Sequence, residues 1–258
     1  MVRRLLPQPL RLRLWLLRNH FTPYSRQHRR AQPSRLQQLR YRRVLAGRVE
    51  ALRTAEHPFG LDRLAEVLVI NLGSRPDRLA EVAEEMGRLG IAYERHDAIA
   101  DADPKVGCTL SHVASVERML ASATGPTMIC EDDVRFLAGR EELDALVEAF
   151  LDDAEAEVAC LAYFLHRSEP HDALFLRGTA IQTASCYVVK PSIAPELAEL
   201  WREGAEQLRA GGDPHRVAAD RIWFRLQERH VFLVPMERAA QQASGYSDLE
   251  SRAVTRSH

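Results

Sequence analysis

The 258-residue chain is poor in several things, and each shortage closes a class of protein. Only four cysteines occur, Cys108, Cys130, Cys160 and Cys186, with no C-x-x-C pair and no histidine-rich neighbour at zinc-finger spacing. A disulfide scaffold is excluded, and the four read as small buried hydrophobes in a reducing compartment. No apolar run approaches the roughly 18 to 20 residues that a membrane span needs, and LWLL at 14–17 is too short even for a signal-peptide core. Missing too are a G-x-G-x-x-G turn and a G-x-x-x-x-G-K-[ST] loop, which counts against a dinucleotide-binding site and a P-loop.

What remains is 46% hydrophobic and 28% charged, the profile of a globular chain that buries a sizeable core. The net charge of -1 hides a split. Residues 1–60 hold 14 Arg and no Lys against Glu50 and Glu56, a balance of +12, so the remaining residues are strongly acidic. Prolines at 7, 9, 23 and 33 interrupt any long helix there, and Leu36, Leu39, Arg40, Arg43, Val44 and Val49 line a short basic helix after Ser34. The segment reads as a plain extension, as a contact with anionic lipid, or as a nucleic-acid contact.

From residue 66 the pattern is that of βαβ units. The β-branched run VLVINL at 67–72 suits a strand buried on both faces. After it, Ser74 is the expected N-cap and Pro76 stands in the first turn of a helix whose Leu79, Val82, Ala83, Met86 and Leu89 face inward until Gly90. A strand is expected at 92–99. A polar loop then leads through GCTLSH (107–112) into a helix with Val113, Val116 and Leu120 inward. TMIC at 127–130 is a further buried strand, and it runs into Glu131, Asp132 and Asp133. Later expectations are helices near 141–151, after Pro191 and near 216–227, and strands at 158–164, 181–189 and 231–234. The predicted architecture is α/β with a mostly parallel sheet, the acidic triplet lying at a strand's carboxyl end.

Ligands of open α/β sheets bind at those carboxyl ends. Three adjacent acids repel one another unless a cation sits between them, so the triplet is either a divalent metal and diphosphate site or a solvated strand end. Asn71, Arg75 and Arg78 follow the first strand at the same edge and are either a nucleotide contact or a polar turn. His96, His166 and His171 share no ligand spacing and read as ordinary, while Leu197, Trp201 and Leu208 form a core-facing stripe.

In this order and at these intervals, VINL with Arg75 and Arg78, Asp97-Ala98, GCTLSH (107–112) and CEDDVRF (130–136) resemble glycosyltransferase family 25. TASCYVV (183–189), Asp220 within AADRIWFRL and QASGYSDL (242–249) extend the likeness, which covers about residues 66–250. The resemblance implies a GT-A type fold and an inverting transfer of a hexose, galactose or glucose, from a UDP-sugar to a saccharide or glycolipid acceptor in surface polysaccharide synthesis. It also implies a divalent metal, Mn²⁺ or Mg²⁺, at Glu131, Asp132 and Asp133, with Asn71, Arg75 and Arg78 as the first nucleotide-side motif. Ser111 and His112 match its S-H element, placed near the donor phosphates. The chain departs from the family pattern at Lys105, where an acid is usual, at the strand of Val158, which lacks the acid often found near its start, and at Ala180 and Ile181, which replace a more polar stretch.

Inverting transfer needs a carboxylate to take the acceptor proton. Asp220 is the first choice, since it opens a helix beside Trp223, which either stacks on a sugar face or belongs to the core. Asp248 is the second choice, as base or metal-side ligand. The expected organisation is a basic extension (1–60), a transferase domain (66–250) and a tail (251–258). The expected location is cytoplasmic, with peripheral contact at the inner membrane face through residues 1–60 and no specific nucleic-acid partner. The competing classes are a nucleotide-binding methyltransferase and a non-enzymatic membrane- or RNA-binding adaptor.

Overall fold

The computed structural model describes residues 33–122 and 125–243, together with the backbone of two short strands at 245–247 and 252–254. Most of the basic segment, residues 1–32, and Asp248 lie outside the described residues.

The first described helix, α1 (Arg35–Leu52), starts on a capping box in which Ser34 and Gln37 exchange side-chain and backbone bonds. Its inward residues are Tyr41 and Leu45, which join the main core. Leu36 and Leu39, expected to line a basic helix after Ser34, are on that helix and are 78% and 64% exposed. The reason is phase: Tyr41 and Leu45 are one turn apart and set the buried stripe, which leaves Leu36 and Leu39 on the opposite side.

β1 (Glu66–Asn71) is buried from Val67 onward, as its β-branched run requires. α2 (Pro76–Leu89) follows with Pro76 in its first turn and ends on Gly90 in the left-handed region at φ 62°. Its N-cap position falls on Arg75 rather than Ser74, and no side chain caps it. β2 (Glu94–Asp97) is shorter than expected. α3 (Pro104–Ser122) begins earlier than expected, so GCTLSH occupies its first turns rather than the loop before it. Val113 and Val116 are buried there, but Leu120 is 38% exposed and Met119 packs inward instead.

β3 (Thr127–Glu131) and β4 (Val134–Phe136) flank the acidic triplet, and α4 (Arg140–Asp152) carries α1 on its surface. β5 (Ala156–Cys160) is followed by a hairpin of β6 (Phe164–Pro170) and β7 (Phe175–Gln182) that the sequence pattern did not announce. The expected strand 181–189 is broken: β7 ends at Gln182 and β8 (Cys186–Val189) begins after a turn. α5 (Ala194–Arg209) fits expectation, whereas 214–227 forms three single turns, α6 (Pro214–Val217), α7 (Ala219–Ile222) and α8 (Phe224–Gln227), in place of one helix. The remaining strands are β9 (Val231–Pro235), β10 (Ala240–Gln242), β11 (Gly245–Ser247) and β12 (Arg252–Val254).

Among the described residues, eight strands form one sheet in the order β2-β1-β3-β8-β5-β9-β7-β6. All but β7 and β8 point the same way, so the sheet is mostly parallel in direction, as expected. β2 lies on one side of β1 and β3 on the other. The chain therefore reverses its winding at β1, and the crevice this leaves opens at the carboxyl ends of β1 and β3.

One glycine outside the site anchors the base of the fold. Gly60 sits at φ +58°, and a Cβ there would lie 2.5 Å from the Asp144 Cα. Its N–H donates to Glu148 Oε2 at 2.7 Å and the next N–H to Asp144 Oδ1 at 3.0 Å, which gives two buried acids of α4 their partners. Gly60→Ala meets both a steric clash and an unfavourable φ, and the expected loss is about 3 kcal/mol in denaturant unfolding. A midpoint shift under a third of that would mean α4 moves aside freely.

Candidate functional site

A cavity of about 250 Å³ opens at the carboxyl ends of β1 and β3, walled by Ser74, Arg78, Asp101 and the triplet. A second, of about 420 Å³, is walled by Lys105, Gln182, Thr183, His215, Asp220 and Arg221. Cys108, His112, Glu131 and Gln242 line both, so the two spaces meet across these four side chains.

α3 brings Cys108 and His112 to that junction because they are four residues apart and share one helix face. Gly107 lets the helix approach the preceding loop: a Cβ there would lie 2.5 Å from the Ile99 carbonyl oxygen. Glu131, the last residue of β3, has its Oε1 3.4 Å from His112 Nε2 and 3.6 Å from Cys108 Sγ. Its Oε2 accepts from the Gln242 side-chain amide at 3.2 Å, and the same nitrogen reaches Asp133 Oδ2 at 3.5 Å. Burial pushes the Glu131 carboxyl up, yet His112, Cys108 and Arg78 together hold it below its ordinary value. Burial and the facing Glu131 carboxylate push the Cys108 thiol well up.

The three acids therefore do not act as a block. Asp132 turns to the other side, where Arg78 pairs with it at 3.0 Å and Asn71 Nδ2 donates to it at 2.8 Å. Burial is the larger influence on Asp132 and raises its carboxyl despite those partners. Asn71, expected to meet a nucleotide, does not line the cavity. Its amide nitrogen also donates to the Arg75 carbonyl, and its oxygen accepts from Arg95 Nε at 3.0 Å. Arg75 likewise stands off the cavity and pairs with Asp77 at 2.8 Å. Ser111 reaches the cavity wall, but its hydroxyl accepts from Ile99 N–H at 2.8 Å and donates to the Gly107 carbonyl at 2.7 Å, which ties the loop to α3. Of the expected donor-side residues, Arg78, Ser111 and His112 line the first cavity beside the expected metal-side acids, and Asn71 and Arg75 stand behind its wall.

Asp220 faces the second cavity from α7, half-buried. Burial raises its carboxyl, while the Gln182 side chain, the Arg221 charge and the Thr183 backbone N–H pull the other way. Trp223 does not offer a sugar platform: it is fully buried, donates from Nε1 to the Ile181 carbonyl at 2.8 Å and packs among Tyr187, Trp201 and Phe232. Its neighbour Trp201 is buried as the core stripe predicts.

Thr183 sits at φ +86°, a region a β-branched residue occupies only under strain, at the point where the chain crosses from β7 to β8. Glycine removes that strain, and Thr183→Gly is expected to raise stability by about 1 kcal/mol in chemical denaturation. A loss of stability would show that the Thr183 side chain contributes more than its backbone costs.

Sequence reasoning gave no site role to Cys108, Gln182 or Gln242, although Cys108 lies within GCTLSH and Gln242 opens QASGYSDL. The signal for Cys108 was present: a cysteine four residues before a histidine points to one helix face once GCTLSH is placed inside the helix. Nothing local marks Gln182, whose position depends on the broken strand.

No family model matches the chain, and no curated protein matches it either. Among solved structures, it is similar to a mannose-1-phosphate geranyltransferase from Thermus thermophilus at 14% identity and a TM-score of 0.39. That alignment takes in 65% of this chain and 58% of the Thermus one, so this chain spans less than two thirds of that protein. A glycosyltransferase involved in glycosylation of the major capsid of PBCV-1 aligns at 10% identity and a TM-score of 0.38, over 67% of this chain and 94% of that one. A197 from STIV aligns at 12% identity and a TM-score of 0.39, over 74% and 94% respectively.

Proposed function

We propose that this protein is a metal-dependent glycosyltransferase that moves a hexose, galactose or glucose, from a UDP-sugar to a saccharide or glycolipid acceptor with inversion. The observation that carries this reading is the pair of cavities meeting at Glu131 and His112, one walled by carboxylates and Arg78, the other holding Asp220. A diphosphate entering a space with Asp101, Glu131, Asp132 and Asp133 meets repulsion unless a cation accompanies it. Glu131 and Asp133 converge on one amide, so their oxygens fit a hard divalent ion, Mn²⁺ or Mg²⁺, while Asp132 is engaged by Arg78 and Asn71. Such an ion offsets charge on the leaving diphosphate. Arg78 adds positive charge at the same wall, and Asp220 takes the acceptor hydroxyl's proton in the second cavity. The motif resemblance points to surface polysaccharide synthesis on the cytoplasmic side. No helix among the described residues is long and apolar enough to cross a membrane. Residues 1–60 are assigned a peripheral contact with anionic lipid, tested by vesicle cosedimentation at low and high salt.

A panel of UDP-, GDP- and CMP-sugars with Mn²⁺ tests the reading. A bound donor at 100 times its Kd adds about 2.7 kcal/mol to stability, and slow hydrolysis should release the nucleoside diphosphate. If no nucleotide sugar shifts the melting temperature and none is hydrolysed, the glycosyltransferase reading fails.

A further inference from the structure

Three unlike donor atoms converge where the two cavities join. Cys108 Sγ, His112 Nε2 and Glu131 Oε1 lie within 4.8 Å of one another. Sγ is 3.6 Å and Nε2 3.4 Å from Oε1. Around a tetrahedral ion with metal–sulfur bonds of about 2.3 Å and metal–nitrogen or metal–oxygen bonds of about 2.0 to 2.2 Å, ligand atoms stand about 3.3 to 3.6 Å apart. Two edges of the triangle already have that length, and the third is no longer than 4.8 Å.

Two further contacts prepare the same ligands. His112 is buried, and its other ring nitrogen, Nδ1, is 3.0 Å from the hydroxyl of fully buried Tyr187. A partner on Nδ1 is what fixes a histidine to ligate through Nε2. The second oxygen of Glu131, Oε2, is held by Gln242, which keeps Oε1 aimed at Cys108 and His112. The three ligand residues line both cavities, so a fourth position on the ion opens to them.

We propose that Cys108, His112 and Glu131 form a binding site for a borderline-soft divalent ion of the zinc class, with its fourth position open to the two cavities. The donor set decides the class, because thiolate and imidazole favour zinc or cobalt over Mg²⁺ or Ca²⁺. On binding, the Cys108 S–H bond breaks, its proton passes to solvent, and sulfur bonds the metal with no change of oxidation state. Nδ1–H of His112 then donates to the Tyr187 hydroxyl oxygen. Glu131 borders two donor sets, Oε1 facing Cys108 and His112 and Oε2 lying with Asp133. The proposal does not rest on the glycosyl-transfer reading.

The test uses the full chain, stripped with a chelator and titrated with Co²⁺. One equivalent is expected to produce a thiolate-to-cobalt charge-transfer band with tetrahedral d–d absorption, displaced by Zn²⁺ and not by Mg²⁺. Cys108→Ser should abolish the charge-transfer band, Asp133→Asn should keep it, and Tyr187→Phe should weaken Zn²⁺ binding about 10- to 100-fold. In unmodified protein, Zn²⁺ should slow alkylation of Cys108 at least tenfold, read by mass spectrometry, which needs no variant to fold. Absence of the band, its survival in Cys108→Ser, or alkylation of Cys108 at the same rate with and without Zn²⁺ overturns the site. Failure of every nucleotide sugar to bind or be hydrolysed with Mn²⁺ while the band persists would overturn glycosyl transfer and leave this site standing.

Discussion

Replacing Asp220 with Asn is expected to lower kcat by about 10² to 10⁴-fold while leaving donor affinity unchanged, the usual signature of a lost general base. The size and most hydrogen bonds of the side chain are kept, and only its capacity to take a proton goes. Donor affinity is expected to survive because Asp220 lines the second cavity and not the first. The pH dependence sharpens the test. Burial holds the Asp220 carboxyl above its ordinary value, so the base is ionised only at higher pH than a free aspartate. Activity should therefore fall as pH drops through that raised value, and this limb should be missing from the residual activity of the Asn variant. The stability effect has the opposite sense to that of a salt-bridged acid. With the folded pKa raised above the unfolded one, the fold loses stability as pH rises through the interval between them, and Asn removes that loss. At neutral pH the Asn variant should melt at or above wild type. A kcat within a few-fold of wild type overturns the base assignment, and a lowered melting temperature would make Asp220 a structural residue of α7.

Which parts of this arrangement could be read in advance follows from where the physical information sits. The β1 and β3 runs were legible because strands covered on both faces must be continuously apolar, and nothing outside the segment changes that. The position of Glu131 followed at once, as the first polar residue after β3's apolar run. α2 was legible from Pro76 and Gly90, whose backbone preferences are local. The break between β7 and β8 was not, since TASCYVV has the composition of one strand. It divides because the sheet needs Cys186–Val189 between β3 and β5 and Phe175–Gln182 beside β9, and the strain of that crossing falls on Thr183. Trp223 was ambiguous for a similar reason: only the packing of Tyr187, Trp201 and Phe232 around it decides that it is core. Within the triplet, composition announced negative charge but could not say which acid faces which way, because that depends on Arg78 and Asn71 arriving from α2 and β1.

That division of the triplet yields the second large effect, a split between two adjacent aspartates. Asp132 has its carboxylate against Arg78 and Asn71 and is buried, so Asp132→Ala takes away the anion from a nearly enclosed ion pair. The expected result is a loss of about 3 kcal/mol in unfolding free energy, the order found when one partner of a buried pair is deleted. Asp133 stands with Glu131 around the Gln242 amide, and Asp133→Asn should leave the melting temperature within a degree or two of wild type. Its effect should fall on binding instead. Calorimetric titration with UDP in Mn²⁺ is expected to show affinity that EDTA abolishes in wild type, and a loss of tenfold or more in Asp133→Asn even with Mn²⁺ in excess. Equal UDP affinity with Mn²⁺ and EDTA, in both proteins, would remove the hard-ion role from Glu131 and Asp133. If Asp132→Ala instead retains full stability and loses only UDP binding, the pairing with Arg78 is not what holds it, and Asp132 belongs with the metal-side acids.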